Sequence, residues 1–127
     1  MAEKNKKIVI VEDSKDYLLV ITENLTKEGF SVVTAEDGEE GLKVILEEKP
    51  DLILSDISMP KMDGIEMSKK LREAGVKTAI MFLTNLNDLK HISDAIEVSA
   101  NTDYVIKSDI TVEGIIERVK EKFVAKI

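Results

Sequence analysis

Along this chain, short apolar runs alternate with longer stretches in which apolar positions return every three or four residues, and the unit recurs about five times at roughly 20 to 25 residue spacing. That alternation predicts βα units and a parallel sheet covered by helices, an α/β architecture of (βα)5 type. Ile8-Val9-Ile10-Val11, Leu52-Ile53-Leu54 and Ala79-Ile80-Met81-Phe82-Leu83 are almost continuous apolar runs, as expected of central strands buried on both faces. Phe30-Ser31-Val32-Val33-Thr34 is mixed, and Tyr104-Val105-Ile106 is short and follows polar residues. Both are predicted edges.

Between the strands, Leu18, Ile21 and Leu25 mark one helical stripe. Leu42, Ile45 and Leu46 mark a second, entered through Asp37 with Glu40 three residues on, the spacing of a capping box. Ile65, Leu71 and Ala74 predict a third helix ended by Gly75, Leu89, Ile92 and Ile96 a fourth, and Val112, Ile115, Ile116, Val119 and Phe123 a fifth. Gly114 weakens the first turn of the last helix by ~1 kcal/mol relative to alanine, which five spaced apolar positions outweigh.

The 127 residues fit a single domain, 1–127, with residues 1–6 as a flexible, solvated start. Apolar residues at 43% and charged residues at 34% allow a core under a well-solvated surface. The balance of 25 acidic to 18 basic residues, a formal charge of -7, argues against direct nucleic-acid binding and points to proteins or cations as partners. Cysteine is absent, so a disulfide framework and thiolate metal sites are excluded, and the reducing cytoplasm is the natural compartment. The apolar run after the basic N-terminus is too short for a signal core or a membrane span.

In open parallel sheets, functional groups gather at the carboxyl ends of the strands. The residues that follow the apolar runs are Glu12-Asp13 after the first, Asp56 after the third, Thr84 after the fourth and Lys107 after the fifth. Three carboxylates on adjoining strands repel one another, and a hard divalent cation resolves the conflict. Two or three carboxylates completed by water suit Mg²⁺ better than a caged Ca²⁺. Zinc is disfavoured with no cysteine and only His91. A carboxylate such as Asp56 can also attack a phosphoryl group, and phosphoryl transfer then needs little beyond positioning and charge. Lys107 offers an ammonium and Thr84 a hydroxyl.

Each residue also has a plainer reading. Glu12 and Asp13 could cap the first helix, Lys107 could be a surface lysine, Thr84 a β-branched strand end, and Tyr104 a half-buried aromatic on an edge. Asp63 and Gly64 are read as the turn into the third helix, and His91 as an ordinary, partly exposed histidine. The combination, not any single residue, favours chemistry.

Four segments carry a resemblance that covers essentially the whole chain. Val11-Glu12-Asp13-Ser14, the loop Asp56-Ile57-Ser58-Met59-Pro60-Lys61-Met62-Asp63-Gly64, the strand end Phe82-Leu83-Thr84 and Tyr104-Val105-Ile106-Lys107 occur in order, each at its own strand. Together they resemble the receiver domain of two-component response regulators, of the CheY-like superfamily. The resemblance implies a doubly wound, flavodoxin-like sheet of order 2-1-3-4-5. It implies Asp56 as phosphoacceptor from a histidine kinase or phosphotransfer protein, and Mg²⁺ on Glu12, Asp13, Asp56 and the backbone carbonyl of Ser58. It also implies a switch in which Thr84 moves toward the phosphoryl group and Tyr104 turns inward. The face of the fourth helix, fifth strand and fifth helix is then reshaped to control a partner protein. Such a domain assists its own phosphorylation and dephosphorylation and is not a stand-alone enzyme.

Three positions depart from the family pattern. Ser108 stands where proline usually follows the lysine; a cis bond before serine costs ~2.5 to 4 kcal/mol. The alternatives are a trans Lys107-Ser108 bond with a re-routed loop or a strained cis bond. Asn85 replaces a very small residue and is expected to alter phosphorylation kinetics. Ala100-Asn101-Thr102 replaces a glycine-rich turn and bears on the shape of the output face.

Rival functions leave distinct marks. A haloacid-dehalogenase-type phosphatase also uses an aspartate nucleophile but carries a second aspartate two residues on, where this chain has Ser58. A flavodoxin-like electron carrier wants Ser, Thr and Gly after the first strand, where Glu12-Asp13 would repel a flavin phosphate. A phosphorylation-independent interaction module would be free to lose the acids or the lysine. No output domain follows the fifth helix, so signalling is expected to pass through a downstream protein unless the chain is an excised domain. Monomer and phosphorylation-dependent dimer both stay open.

Overall fold

The structure, a computed structural model, describes residues 6–85 and 101–124. The elements run β1 (Lys7–Val11), α1 (Lys15–Lys27), β2 (Ser31–Ala35), α2 (Gly38–Glu48), β3 (Leu52–Asp56), α3 (Gly64–Glu73), β4 (Ile80–Thr84), β5 (Thr102–Ile106) and a C-terminal helix, α4 (Val112–Lys122). The helix predicted on Leu89, Ile92 and Ile96, and His91 with it, lies outside the described residues. All strand pairings are parallel, in the order β2-β1-β3-β4-β5. The three apolar runs are the central strands and the two mixed ones are the edges, as the sequence predicts.

The pleat explains why the central runs are continuous. Ile8, Ile10, Leu52, Leu54, Met81 and Leu83 point to one face, where they pack with Ile21 and Leu25 of α1 and Ile115, Ile116 and Val119 of α4. Val9, Val11, Ile53, Ile80 and Phe82 point to the other, against Ile45 of α2 and Ile65, Met67 and Leu71 of α3. Burial of each such side chain is worth roughly 1.5 to 3 kcal/mol, so both faces hold the sheet in register.

Two edge details differ from the sequence reading. β2 starts at Ser31, and Phe30 instead drops its ring into the core, 5.5 Å from the Phe123 ring centroid. β5 starts two residues early, at Thr102, because the backbone of a parallel edge pairs with β4 whatever its side chains are. Asp103 Oδ2 accepts from Arg118 and Lys122, both at 3.2 Å, and ties this edge to α4. Among the described residues, no helix is long and apolar enough to cross a membrane.

Candidate functional site

Asp56 is the last residue of β3 and is buried, with its position set from several sides. The Ile57 N–H donates to Asp56 Oδ1 at 2.7 Å, and the Ser55 hydroxyl donates to the Asp56 carbonyl at 2.8 Å. The Gly64 N–H donates to the Ile57 carbonyl at 2.7 Å and draws the start of α3 against the acidic loop. A Cβ on Gly64 would sit 2.2 Å from the Asp56 carbonyl oxygen, so this approach requires glycine. Between them the chain makes a tight turn in which the Met62 N–H meets the Pro60 carbonyl at 2.7 Å and Lys61 adopts φ 69°. The Asp63 side chain caps α3 by accepting from the Glu66 N–H at 2.8 Å, so Asp63 and Gly64 form the turn expected of them.

Glu12 follows β1 directly and is almost wholly buried. Its N–H donates to the Ala35 carbonyl at 3.0 Å, and its Oε2 accepts from the Ser14 N–H at 2.9 Å. Ser14, not Asp13, is the N-cap of α1. Asp13 stays exposed at the rim, and Glu12, Asp13 and Asp56 each offer a carboxylate oxygen within 4.8 Å of the others. Lys107 enters from the far side of the sheet. Its Nζ lies 2.7 Å from Glu12 Oε1 and 3.2 Å from Asp56 Oδ2. The Lys107-Ser108 peptide is trans, since no described bond is cis, and the chain leaves through a 3-10 turn, Lys107–Asp109. That is the re-routed alternative of the two.

Burial and the Glu12 charge push the Asp56 carboxyl up to about 6 from 3.8, against the pull of Lys107 and the Ile57 N–H. Burial works to lower the Lys107 ammonium, but its hydrogen bond to Glu12 and the charges of Asp56 and Glu12 outweigh this and hold it above its ordinary value. The pair is therefore asymmetric: one lysine serves two buried carboxylates and cannot neutralise both. A third acid at the rim adds to this excess of negative charge. An all-oxygen set short of positive charge fits a hard divalent cation.

Thr84 ends β4 and is fully buried. Asp56 pairs with Leu83, so Thr84 lies one residue further toward the carboxyl edge. Its hydroxyl donates to the Asn85 carbonyl at 3.2 Å and, among the described residues, to neither buried carboxylate. Tyr104 lies across from Phe82, shares the pleat side of Thr84, and is 39% exposed. Ser58 is exposed two residues beyond Asp56. The structure thus brings Glu12, Asp13, Asp56 and Lys107 together and leaves Thr84 and Tyr104 outside the contact shell. One neighbour escaped the sequence reading. The Tyr17 ring of α1 lies under the Lys107 ammonium, 4.4 Å from Nζ to its centroid. Its only sequence signal is an aromatic placed four residues before Ile21 on the apolar stripe.

Residues 8–120 match the family model described as response regulator receiver domain. The alkaline phosphatase synthesis transcriptional regulatory protein PhoP of Bacillus subtilis (strain 168) is 41% identical over 103 residues, covering 81% of this chain and 42% of the relative. This chain therefore spans less than half the length of that protein. Sporulation initiation phosphotransferase F of the same organism is 32% identical over 106 residues, 84% of this chain and 86% of the relative. A response regulator receiver domain protein (CheY-like) from Methanospirillum hungatei JF-1 superposes with a TM-score of 0.85 at 28% identity, over 94% of each chain. An acidic pocket at the carboxyl edge of a 2-1-3-4-5 sheet, with a family match over nearly all of the chain, leads to one conclusion: the chain belongs to the receiver domains of two-component response regulators.

Proposed function

We propose that Asp56 accepts a phosphoryl group from a histidine kinase or phosphotransfer protein, and that this charge switches the domain's contacts with a downstream protein. The observation that carries the reading is the pairing of two buried carboxylates, Asp56 and Glu12, with a single ammonium within 3.2 Å of both. Such a pocket is short of positive charge before transfer and is electrostatically suited to a metal-assisted reaction.

The Glu12, Asp13 and Asp56 carboxylates and the Ser58 carbonyl would hold Mg²⁺. The ion's chemistry in such a pocket is neutralisation of carboxylates and of phosphoryl oxygens. An Asp56 carboxylate oxygen forms the new O–P bond as the P–N bond of a phosphohistidine breaks, and the electron pair leaves with the imidazole nitrogen. Lys107 stands close enough to hold a phosphoryl oxygen, and Thr84 could donate to another after giving up its bond to the Asn85 carbonyl. Tyr104, partly exposed on the same pleat side as Thr84, would turn inward as Thr84 moves, altering the face that β5 and α4 present. The domain assists its own phosphorylation and dephosphorylation, and it acts in the cytoplasm.

Incubation with Mg²⁺ and a small-molecule phosphodonor, followed by intact mass measurement, tests this. A gain of one phosphoryl mass that disappears in Asp56→Asn is the expected result. No gain at any Mg²⁺ concentration, with no spectral response to beryllofluoride, would overturn it in favour of a phosphorylation-independent module.

A further inference from the structure

We infer that Tyr17 is a positioning residue for Lys107: its ring is the fixed platform that keeps the lysine ammonium beside Asp56 while its anionic partners change. The inference rests on Asp56 being the phosphoacceptor.

A lysine is a point charge on a flexible four-carbon stem, and its placement depends on what surrounds the ammonium. Here two partners are carboxylates, Glu12 at 2.7 Å and Asp56 at 3.2 Å. Both change during the proposed reaction. The Asp56 carboxylate contact gives way to the oxygens of the arriving phosphoryl group, and Glu12 shares its charge with any cation that enters the pocket. The third partner does not change. The Tyr17 ring lies 4.4 Å from Nζ, within the range of cation–π attraction, and the Lys107 side chain is only 15% exposed, so water screens the contact little.

The ring and not the hydroxyl carries this role. The Tyr17 oxygen is buried and, among the described residues, has no hydrogen-bond partner. A buried hydroxyl in that state contributes nothing to holding the lysine, so phenylalanine should serve as well as tyrosine. Tyr17 is itself fixed from outside the pocket: it stands in the first turn of α1, where its N–H donates to the Ser14 cap, and it packs against the core shared with Ile21 and Leu25.

The experiment compares the unaltered full chain with Tyr17→Leu and Tyr17→Phe, using acetyl phosphate and Mg²⁺ as the probe. Tyr17→Leu keeps apolar bulk and removes the π face; phosphoryl uptake should slow about three- to tenfold, the scale of a partly desolvated cation–π contact. Tyr17→Phe should restore the rate to within about twofold, which a merely bulky filler would not distinguish from leucine. The NMR shift of the Lys107 ε-methylene protons supplies a second readout in the unphosphorylated protein. It should be ring-shifted in the unaltered chain and in Tyr17→Phe, and unshifted in Tyr17→Leu. Unaltered uptake in a folded Tyr17→Leu overturns the role, and an unshifted Lys107 in the unaltered chain overturns it whether or not the leucine variant folds. Absence of uptake by the unaltered chain overturns the acceptor reading and this role with it, and uptake by that chain is what separates the two failures.

Discussion

Lys107 Nζ sits nearer to Glu12, at 2.7 Å, than to the proposed acceptor Asp56, at 3.2 Å, although 95 residues separate the lysine from Glu12. The ammonium is thus committed mainly to the acid that does not react. Asp56 is left the less compensated of the two buried carboxylates, and Lys107 does not undo the rise in its pKa that burial and the Glu12 charge produce.

Metal-free stability should show the consequence. Asp56 ionises near 6 in the folded chain against an ordinary 3.8. The unfolded chain therefore releases this proton first as pH rises, and the folded state loses stability through that window. The loss is complete above about 6 and is bounded by about 3 kcal/mol. Asp56→Asn has no such proton to lose. In EDTA it is expected to be more stable than the unaltered chain by roughly 1 to 3 kcal/mol at pH 7.5, with the gap closing toward pH 4. Urea denaturation at both pH values measures this. Added Mg²⁺ should stabilise the unaltered chain more than the variant, since only the former keeps three carboxylates in the pocket.

The close approach of α3 to the acidic loop predicts a second outcome. In Gly64→Ala the new methyl would meet the Asp56 carbonyl oxygen at 2.2 Å, and because that atom is backbone the strand end or the helix start must shift. A cost of about 2 to 4 kcal/mol is expected, together with slower phosphoryl uptake. Gly75→Ala is the control. There the backbone is left-handed, φ 88°, with nothing within 4 Å, so the cost should be only about 1 kcal/mol and uptake should be unchanged. Equal effects in the two variants would mean that Asp56 is not held through Gly64.

The meeting of Glu12, Asp56 and Lys107 was legible because each ends or directly follows a strand that the apolar pattern locates, and parallel strands deliver their carboxyl ends to one edge. Asp63 was legible because its cap is a local bond over three residues. The rest depends on side-chain directions across distant segments. Nothing local says that Lys107 reaches past Asp56 to Glu12, or that Tyr17, by period a member of the α1 core stripe, turns its face to an ammonium. The start of β5 was missed for a related reason. Thr102 and Asp103 are polar, and an edge strand recruits them through backbone pairing that leaves no hydrophobic trace. Ser108 left two backbone paths open in the sequence, and the trans path is the one adopted.

Thr84 offers the last prediction, since its hydroxyl is engaged away from the pocket. It donates to the Asn85 carbonyl at 3.2 Å, and Asn85 is exposed, so water can replace that donor if it leaves. Thr84→Val keeps the β-branched shape and removes only the hydroxyl. Stability should change by no more than about 1 kcal/mol. Phosphoryl uptake should slow by about tenfold if the hydroxyl is recruited to a phosphoryl oxygen in the reaction. The Tyr104 ring resonances should also cease to respond fully to beryllofluoride if, as proposed, the hydroxyl shift makes room for the ring on the shared pleat side. A Thr84→Val protein with unaltered uptake and a full Tyr104 response would remove Thr84 from the switch and leave Lys107 to carry the phosphoryl contact from the protein side.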